Sequence, residues 1–261
     1  MAEKPTLSNI INAKIYDLLD LELIKEYKRK LDINGVLALP NFLENKALKE
    51  LIIEAELAAS EAFFTNSTHN VYLTPVDTRL PPDHVFNKQL VSSKGCICMD
   101  QIPSNSKLKK LYNYSGFKNF VAKIVGEKKL YPYEDPLSSI NVHYAGEGQE
   151  LNWHFDNSDF TITLLVKNCT KGGVYEFFND MRYKDGKEDY DFVEKILDKK
   201  VPGTKVKSFE GDLMIFKGNK SIHQVTAVEK GERILVTFNY NEIEGIPLSE
   251  ESRRTFFGRI K

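Results

Sequence analysis

Cysteine is scarce in this chain and odd in number: Cys96, Cys98 and Cys169 are the only three. An odd set without paired zinc-type spacing excludes a disulfide framework and a cysteine-built zinc cluster. Cys96-x-Cys98 reads instead as a reduced pair of small core residues on a strand. Charge of one sign is lacking too. With 36 basic and 37 acidic residues the formal net charge is −1, which argues against a nucleic-acid partner or an anionic membrane surface. No apolar run approaches the roughly 20 residues of a membrane span, and Met1-Ala2-Glu3-Lys4-Pro5 has no apolar signal core. Internal repeats, low-complexity tracts and linker-like stretches are also missing. These absences give the expectation of a cytoplasmic protein whose partner is a small molecule. The oligomeric state stays open, a homodimer included.

What is present is the material of a packed core: 261 residues, 41% hydrophobic and 11% aromatic. The first half reads as mainly helical. Residues 1–13 are polar and loose, and Asp20–Lys30 has the spacing of an amphipathic helix. Asn45 is the expected N-cap of a second helix carrying Leu48, Leu51, Ile52, Ala55 and Ala59. Asn66–Pro82 is turn-rich and expected to be a loop at a site mouth, and Phe86–Met99 reads as extended. Two helices follow, near Ser106–Tyr114 and Gly116–Val125. From Leu137 the character changes to short strands between glycine-rich turns, with a helix inserted over Asp189–Asp198. About eight such strands fit a double-sheet jelly roll. The expected fold class is α+β, a distorted double-stranded β-helix with N-terminal helices packed against it. It is expected as one domain: residues 1–135 the helical buttress and loops, 136–245 the jelly-roll core, 246–261 a tail.

Chemistry concentrates at Asn152-Trp153-His154-Phe155-Asp156-Asn157. Side chains two apart on a strand point the same way, so His154 and Asp156 can share a face. His223 follows 69 positions after His154, far enough for the chain to cross a barrel and return. Two imidazoles and one carboxylate can cap one face of an octahedral iron and leave the other open. Ten positions on, Arg233 heads the apolar run Ile234-Leu235-Val236-Thr237-Phe238. A buried guanidinium needs an anion, and its planar fork suits a carboxylate.

His154-x-Asp156, His223 and Arg233 together resemble the iron(II)- and 2-oxoglutarate-dependent oxygenases. The flanking Asp135-Pro136-Leu137, Gly172-Gly173-Val174-Tyr175-Glu176-Phe177, Ser221-Ile222-His223-Gln224-Val225-Thr226 and Thr255-Phe256-Phe257-Gly258-Arg259 are similar to the branch that hydroxylates or halogenates free amino acids, lysine above all. The resemblance implies iron(II) held by His154, Asp156 and His223, 2-oxoglutarate held by Arg233, and O2 as oxidant, with release of succinate and CO2. Halogenating relatives carry a small residue where Asp156 stands, so hydroxylation is the implied outcome here. Many relatives place a hydroxyl two residues after the arginine. Leu235 occupies that position, and Thr161 and Thr163 are the candidates to replace it.

For substrate contacts the candidates are Asn157, Asn239, Asn241 and His143, with Glu134 or Asp135 supplying negative charge. Asn157 stands where lysine-acting relatives carry an acid. Lys88 or Arg79 could meet a substrate carboxylate, although each reads as a surface charge. Rival readings are the same chemistry on a carrier- or peptide-bound residue or another metabolite, desaturation, and a non-catalytic jelly-roll binding protein.

Overall fold

A computed structural model of the chain describes residues 7–261. Two antiparallel sheets face one another, and we number their strands in chain order. The larger sheet has seven strands: β1 (Val36–Leu39), β2 (Phe63–His69), β3 (Leu90–Ile97), β4 (Ile140–Ala145), β6 (Thr161–Lys167), β9 (Leu213–Phe216) and β11 (Arg233–Phe238), in the order β1-β9-β6-β11-β4-β3-β2. The smaller contains β5 (Leu151–His154), β7 (Tyr175–Phe178), β8 (Thr204–Val206) and β10 (Ile222–Val225), in the order β8-β7-β10-β5. This is the jelly-roll arrangement, with helices on the outer face of the large sheet.

Alternation decides which face does what. On β11, Ile234, Val236 and Phe238 are buried against the helical layer, while Arg233, Leu235 and Thr237 alternate with them toward the small sheet. The buttress consists of α1 (Leu21–Asn34), α2 (Asn45–Ala58), α3 (Lys107–Asn113) and α4 (Ser115–Val125). Leu31, Leu51, Leu111, Phe117, Phe120 and Ile124 join Ile162, Leu164, Ile215 and Val236 in one core. Each fully buried aliphatic or aromatic side chain of this kind contributes about 1.5–3 kcal/mol relative to exposure. Tyr144 adds a polar tie, its hydroxyl donating to the carbonyl of Ala55 on α2 at 2.8 Å. Two further helices lie apart from this layer. The first, α5 (Tyr190–Leu197), is the inserted helix; the second, α6 (Glu250–Phe257), packs on β2 and β3. No helix among the described residues is long and apolar enough to cross a membrane.

Four local expectations need correction. Residues 1–6 lie outside the described residues, but the rest of the supposedly loose N-terminus is anchored: Ile10 and Ile11 are buried, and Ile11 bridges Leu43. The turn-rich reading from Asn66 fails as far as His69, because pairing of β2 with β3 supplies hydrogen bonds that turn composition cannot foretell. Asn45 is the first residue of α2, and the cap position belongs to Glu44, whose side chain makes no capping bond. Val85–Asn87 is a 3-10 turn ahead of β3, not extended chain.

Candidate metal centre

His154 and His223 face each other across neighbouring strands, as register partners on β5 and β10. Each ring is aimed by its own backbone. Nδ1 of His154 donates to the carbonyl of Asn152 at 2.7 Å, and Nδ1 of His223 to that of Ser221 at 2.9 Å. Those bonds fix the tautomer and turn both Nε2 lone pairs toward one point. Burial pulls His223 down to about 4, the neighbouring His154 adding to the effect. His223 is therefore neutral, the form a metal ligand requires.

Asp156 completes the set from beyond the end of β5, so strand alternation is not what aims it. Its backbone N–H donates to Gly218 O at 3.0 Å, and the preceding Phe155 N–H to Val71 O at 2.8 Å. Oδ1 of Asp156 lies 3.4 Å from His154 Nε2 and 3.6 Å from His223 Nε2. The other oxygen, Oδ2, accepts a hydrogen bond from Thr161 at 2.6 Å. That division leaves Oδ1 as a single-oxygen ligand. Burial alone would raise this carboxyl, but His223, His154 and the Thr161 hydroxyl outweigh it and hold the group far below the usual carboxylate range. Gly218 has to be glycine, since a Cβ there would overlap the Asp156 carboxylate. Among the described residues, His154, Asp156 and His223 form the cluster whose ligand atoms all lie within 4.8 Å of one another.

A cavity of about 280 Å³ is lined by Tyr175, Arg233, Gly173, Lys205 and Leu165, among others, and the Tyr175 ring also lies 5.6 Å from that of His223. Arg233 is buried, and its Nε–H has no protein partner. Burial pulls its guanidinium down to about 10, a sign of a cation that lacks an anion. Gly173 leaves room for it: a Cβ at that position would crowd Arg233 Cδ. The Tyr175 hydroxyl is also buried and unpartnered. Orphaned buried donors are rare in folded proteins and point to a missing acceptor. A carboxylate fits these donors.

A scan of the chain against family models matches Halogenase D over residues 89–256, more than half of its length. The chain belongs to the Halogenase D family. Among solved structures, HygX from Streptomyces hygroscopicus, crystallised with nickel, 2-oxoglutarate and hygromycin B, matches with TM-score 0.57, 12% identity, 86% of this chain and 90% of that one. A 2OG-Fe(II) oxygenase family protein from Burkholderia pseudomallei gives TM-score 0.56 at 11% identity, covering 85% and 92%. At such identities the likeness shows the fold. No curated protein matches. With the family and the ligand set, this Halogenase D member is an enzyme of the 2-oxoglutarate- and iron(II)-dependent oxygenase type, whose cofactors are iron(II) and 2-oxoglutarate, with O2.

The remaining expected residues separate. Thr161 serves the metal carboxylate, not the co-substrate, because β6 begins beside the Asp156 loop. Thr163 lies two residues on in the same strand, level with Met214 and Thr237. His143 does come to the interior: its Nε2 meets Thr237 Oγ1 at 3.4 Å, while its buried Nδ1 has no partner. Asn239 does not present its amide to a ligand; Nδ2 donates to Ser138 O at 2.6 Å and Asn141 Oδ1 at 3.0 Å, clasping the loop before β4. Asn241 likewise ties down Ile246 O. Asn157 lies exposed on the loop after the ligand Asp156.

Neither acidic candidate supplies a free charge to the interior. Glu134 is exposed, and the Asp135 carboxylate is taken up by Leu137 N, Ser138 N, Ser138 Oγ and Leu248 N. Lys88 pairs with Asp198 and Arg79 with Asp77 on the surface. Arg182 pairs with Glu188 and lies over the Phe155 and Tyr72 rings, which brace the ligand loop. One residue escaped the sequence reading: Tyr175, which lines the Arg233 cavity and packs on the His223 ring.

Proposed function

We propose that the protein hydroxylates an unactivated C–H bond of a free amino acid, with 2-oxoglutarate consumed to succinate and CO2. The observation that carries the hydroxylation reading is Asp156. Its Oδ1 stands within reach of both histidine Nε2 atoms, and a halide would need that coordination position vacated. The amino-acid reading rests on the resemblance of the flanking motifs and on the polar pair of His143 and Thr237 on the inner face of the large sheet.

When bound, iron(II) and 2-oxoglutarate would activate O2, the oxidant; the chain supplies geometry and exclusion of water. His154 and His223 offer Nε2, and Asp156 offers Oδ1 while Thr161 immobilises its other oxygen. Arg233 would receive a carboxylate of 2-oxoglutarate, with the Tyr175 hydroxyl as a second donor in place of the hydroxyl that Leu235 lacks. Phe216 and Tyr175 pack on the His223 ring at centroid distances of 5.0 and 5.6 Å, walling that side with apolar surface. His143, kept neutral by burial and by the nearby Lys94 and Arg233 charges, presents an unpaired ring nitrogen inside the barrel.

Succinate release with iron(II), ascorbate and 2-oxoglutarate, screened across the common amino acids with mass analysis of the products, tests this. The expected result is stimulation by one amino acid and a product heavier by one oxygen. A product that exchanges hydrogen for chlorine, or that loses two hydrogens, would overturn hydroxylation. Stimulation only by tethered residues would overturn the free-substrate reading.

A further inference from the structure

The loop between β9 and β10, residues 217–221, aims two of the three metal ligands. Gly218 O accepts the backbone N–H of Asp156 at 3.0 Å, and Ser221 O accepts from Nδ1 of His223 at 2.9 Å. A short loop does not hold two carbonyls in place unaided, since each residue keeps two soft torsions. Here a second segment grips it. The chain leaves β7 at Phe178 and runs antiparallel to the loop. Asp180 N–H donates to Ser221 Oγ at 3.2 Å, Met181 N–H to Lys220 O at 3.0 Å, and Arg182 Nη1 to Asn219 O at 3.1 Å. Successive residues of one segment thus hold successive residues of the other, ending next to Gly218. Asp180 takes a φ of 50° on this course, a left-handed conformation that few residues other than glycine adopt.

Arg182 carries the grip to the other side of Asp156. Its guanidinium carbon lies 5.1 Å from the ring centroid of Phe155, the residue between the ligands His154 and Asp156, and 5.8 Å from that of Tyr72. The Tyr72 and Phe155 rings stack with centroids 5.6 Å apart, and Phe155 is fully buried. Glu188 sets the guanidinium itself, its Oε1 accepting from Nε at 3.1 Å. These two side chains are only 20% and 23% exposed, so solvent screens the pair less than a surface one. One planar fork therefore meets the Asp156 segment on one side and the Gly218 loop on the other. A single-point ammonium cannot do both.

We propose that Arg182 is a positioning residue for the metal centre. By tying residues 217–221 to Phe155 it sets Asp156 and His223 in the geometry that binds iron, and Glu188 holds it to that task. It acts through those ligands and not on the metal or a substrate. The proposal rests on the metal assignment and is independent of which substrate is oxidised.

The test titrates the metal-free protein anaerobically with iron(II) in competition with a chelating dye, and follows thermal unfolding of the same form. Arg182→Met keeps a stem over Phe155 and removes the fork. Its iron(II) affinity should fall about 10- to 100-fold, the range for groups that orient metal ligands. The visible absorption of cobalt(II) in the site should change as well, because the carboxylate ligand shifts. Arg182→Lys, the variant to read should the methionine fail to fold, keeps the charge opposite Glu188 and should still lose about threefold or more. Tyr144→Phe is the structural control. It loses the bond to Ala55 O and should lower the unfolding temperature with iron(II) affinity and the cobalt(II) spectrum unchanged. Parent-level iron(II) affinity in either Arg182 variant, an unchanged cobalt(II) spectrum in Arg182→Met, or an equal loss of affinity in Tyr144→Phe would each overturn the proposal. Failure of the metal assignment looks different: the parent protein itself would take no iron(II) from the dye.

Discussion

Replacing Tyr175 by phenylalanine should move two quantities in opposite directions. The hydroxyl is buried, lacks a protein partner, and shares a cavity with Arg233. Burial also holds it well above the ordinary phenol range, so it stays a neutral donor. In the ligand-free protein the unsatisfied hydroxyl costs about 1–3 kcal/mol, and Tyr175→Phe removes that penalty without leaving a cavity. Stability should hold or rise. With 2-oxoglutarate bound, the hydroxyl gains a charged acceptor, an interaction of about 1.5–3 kcal/mol. Its loss should weaken 2-oxoglutarate about 10- to 150-fold. Urea denaturation of the metal-free protein reads the first effect, and anaerobic titration of the iron(II) form with 2-oxoglutarate reads the second. An unchanged dissociation constant, or a variant less stable than the parent, would refute the assignment of Tyr175 as the arginine's helper.

Arg233→Met keeps the aliphatic stem and removes the charge, so 2-oxoglutarate affinity should fall at least as far as in Tyr175→Phe, measured by the same titration; equal affinity would remove the anchor. Thr161→Val leaves Asp156 Oδ2 without its 2.6 Å donor and should cost about 10- to 100-fold in metal affinity, read by competition with a chelating dye, whereas an effect on 2-oxoglutarate alone would return Thr161 to the co-substrate. His143 gives a pH dependence. Burial, with Lys94 and Arg233, holds its folded pKa well below 6.5, while the unfolded chain titrates near about 6.5. The unfolded state therefore gains a proton first as pH falls; this stability is present above about 6.5 and lost as pH drops below it toward the folded value. His143→Leu should flatten the stability curve between pH 7.5 and 5.5, and parallel curves for the two proteins would contradict the neutral buried ring.

The sequence by itself determined the chemistry that a local pattern can encode. His154, Asp156 and His223 were legible because metal ligation demands particular residue types, and Arg233 because a charge heading an apolar strand requires an anion. The helical buttress and most strands were legible from periodicity, since apolar spacing records which face is buried. Tertiary structure decided everything that depends on what lies across the barrel. Asp156 is aimed by Gly218, from a loop 62 residues away, not by strand alternation. Thr161 turned out to hold the metal carboxylate, a role set by where β6 begins. Asn239 and Asn241 look identical in sequence to substrate-binding amides, and only their hydrogen bonds reveal them as clasps for loops. Tyr175 shows the limit most clearly. Its meaning lies in the partner its hydroxyl lacks, and a missing partner becomes visible only when the chain has closed around the space where it should be.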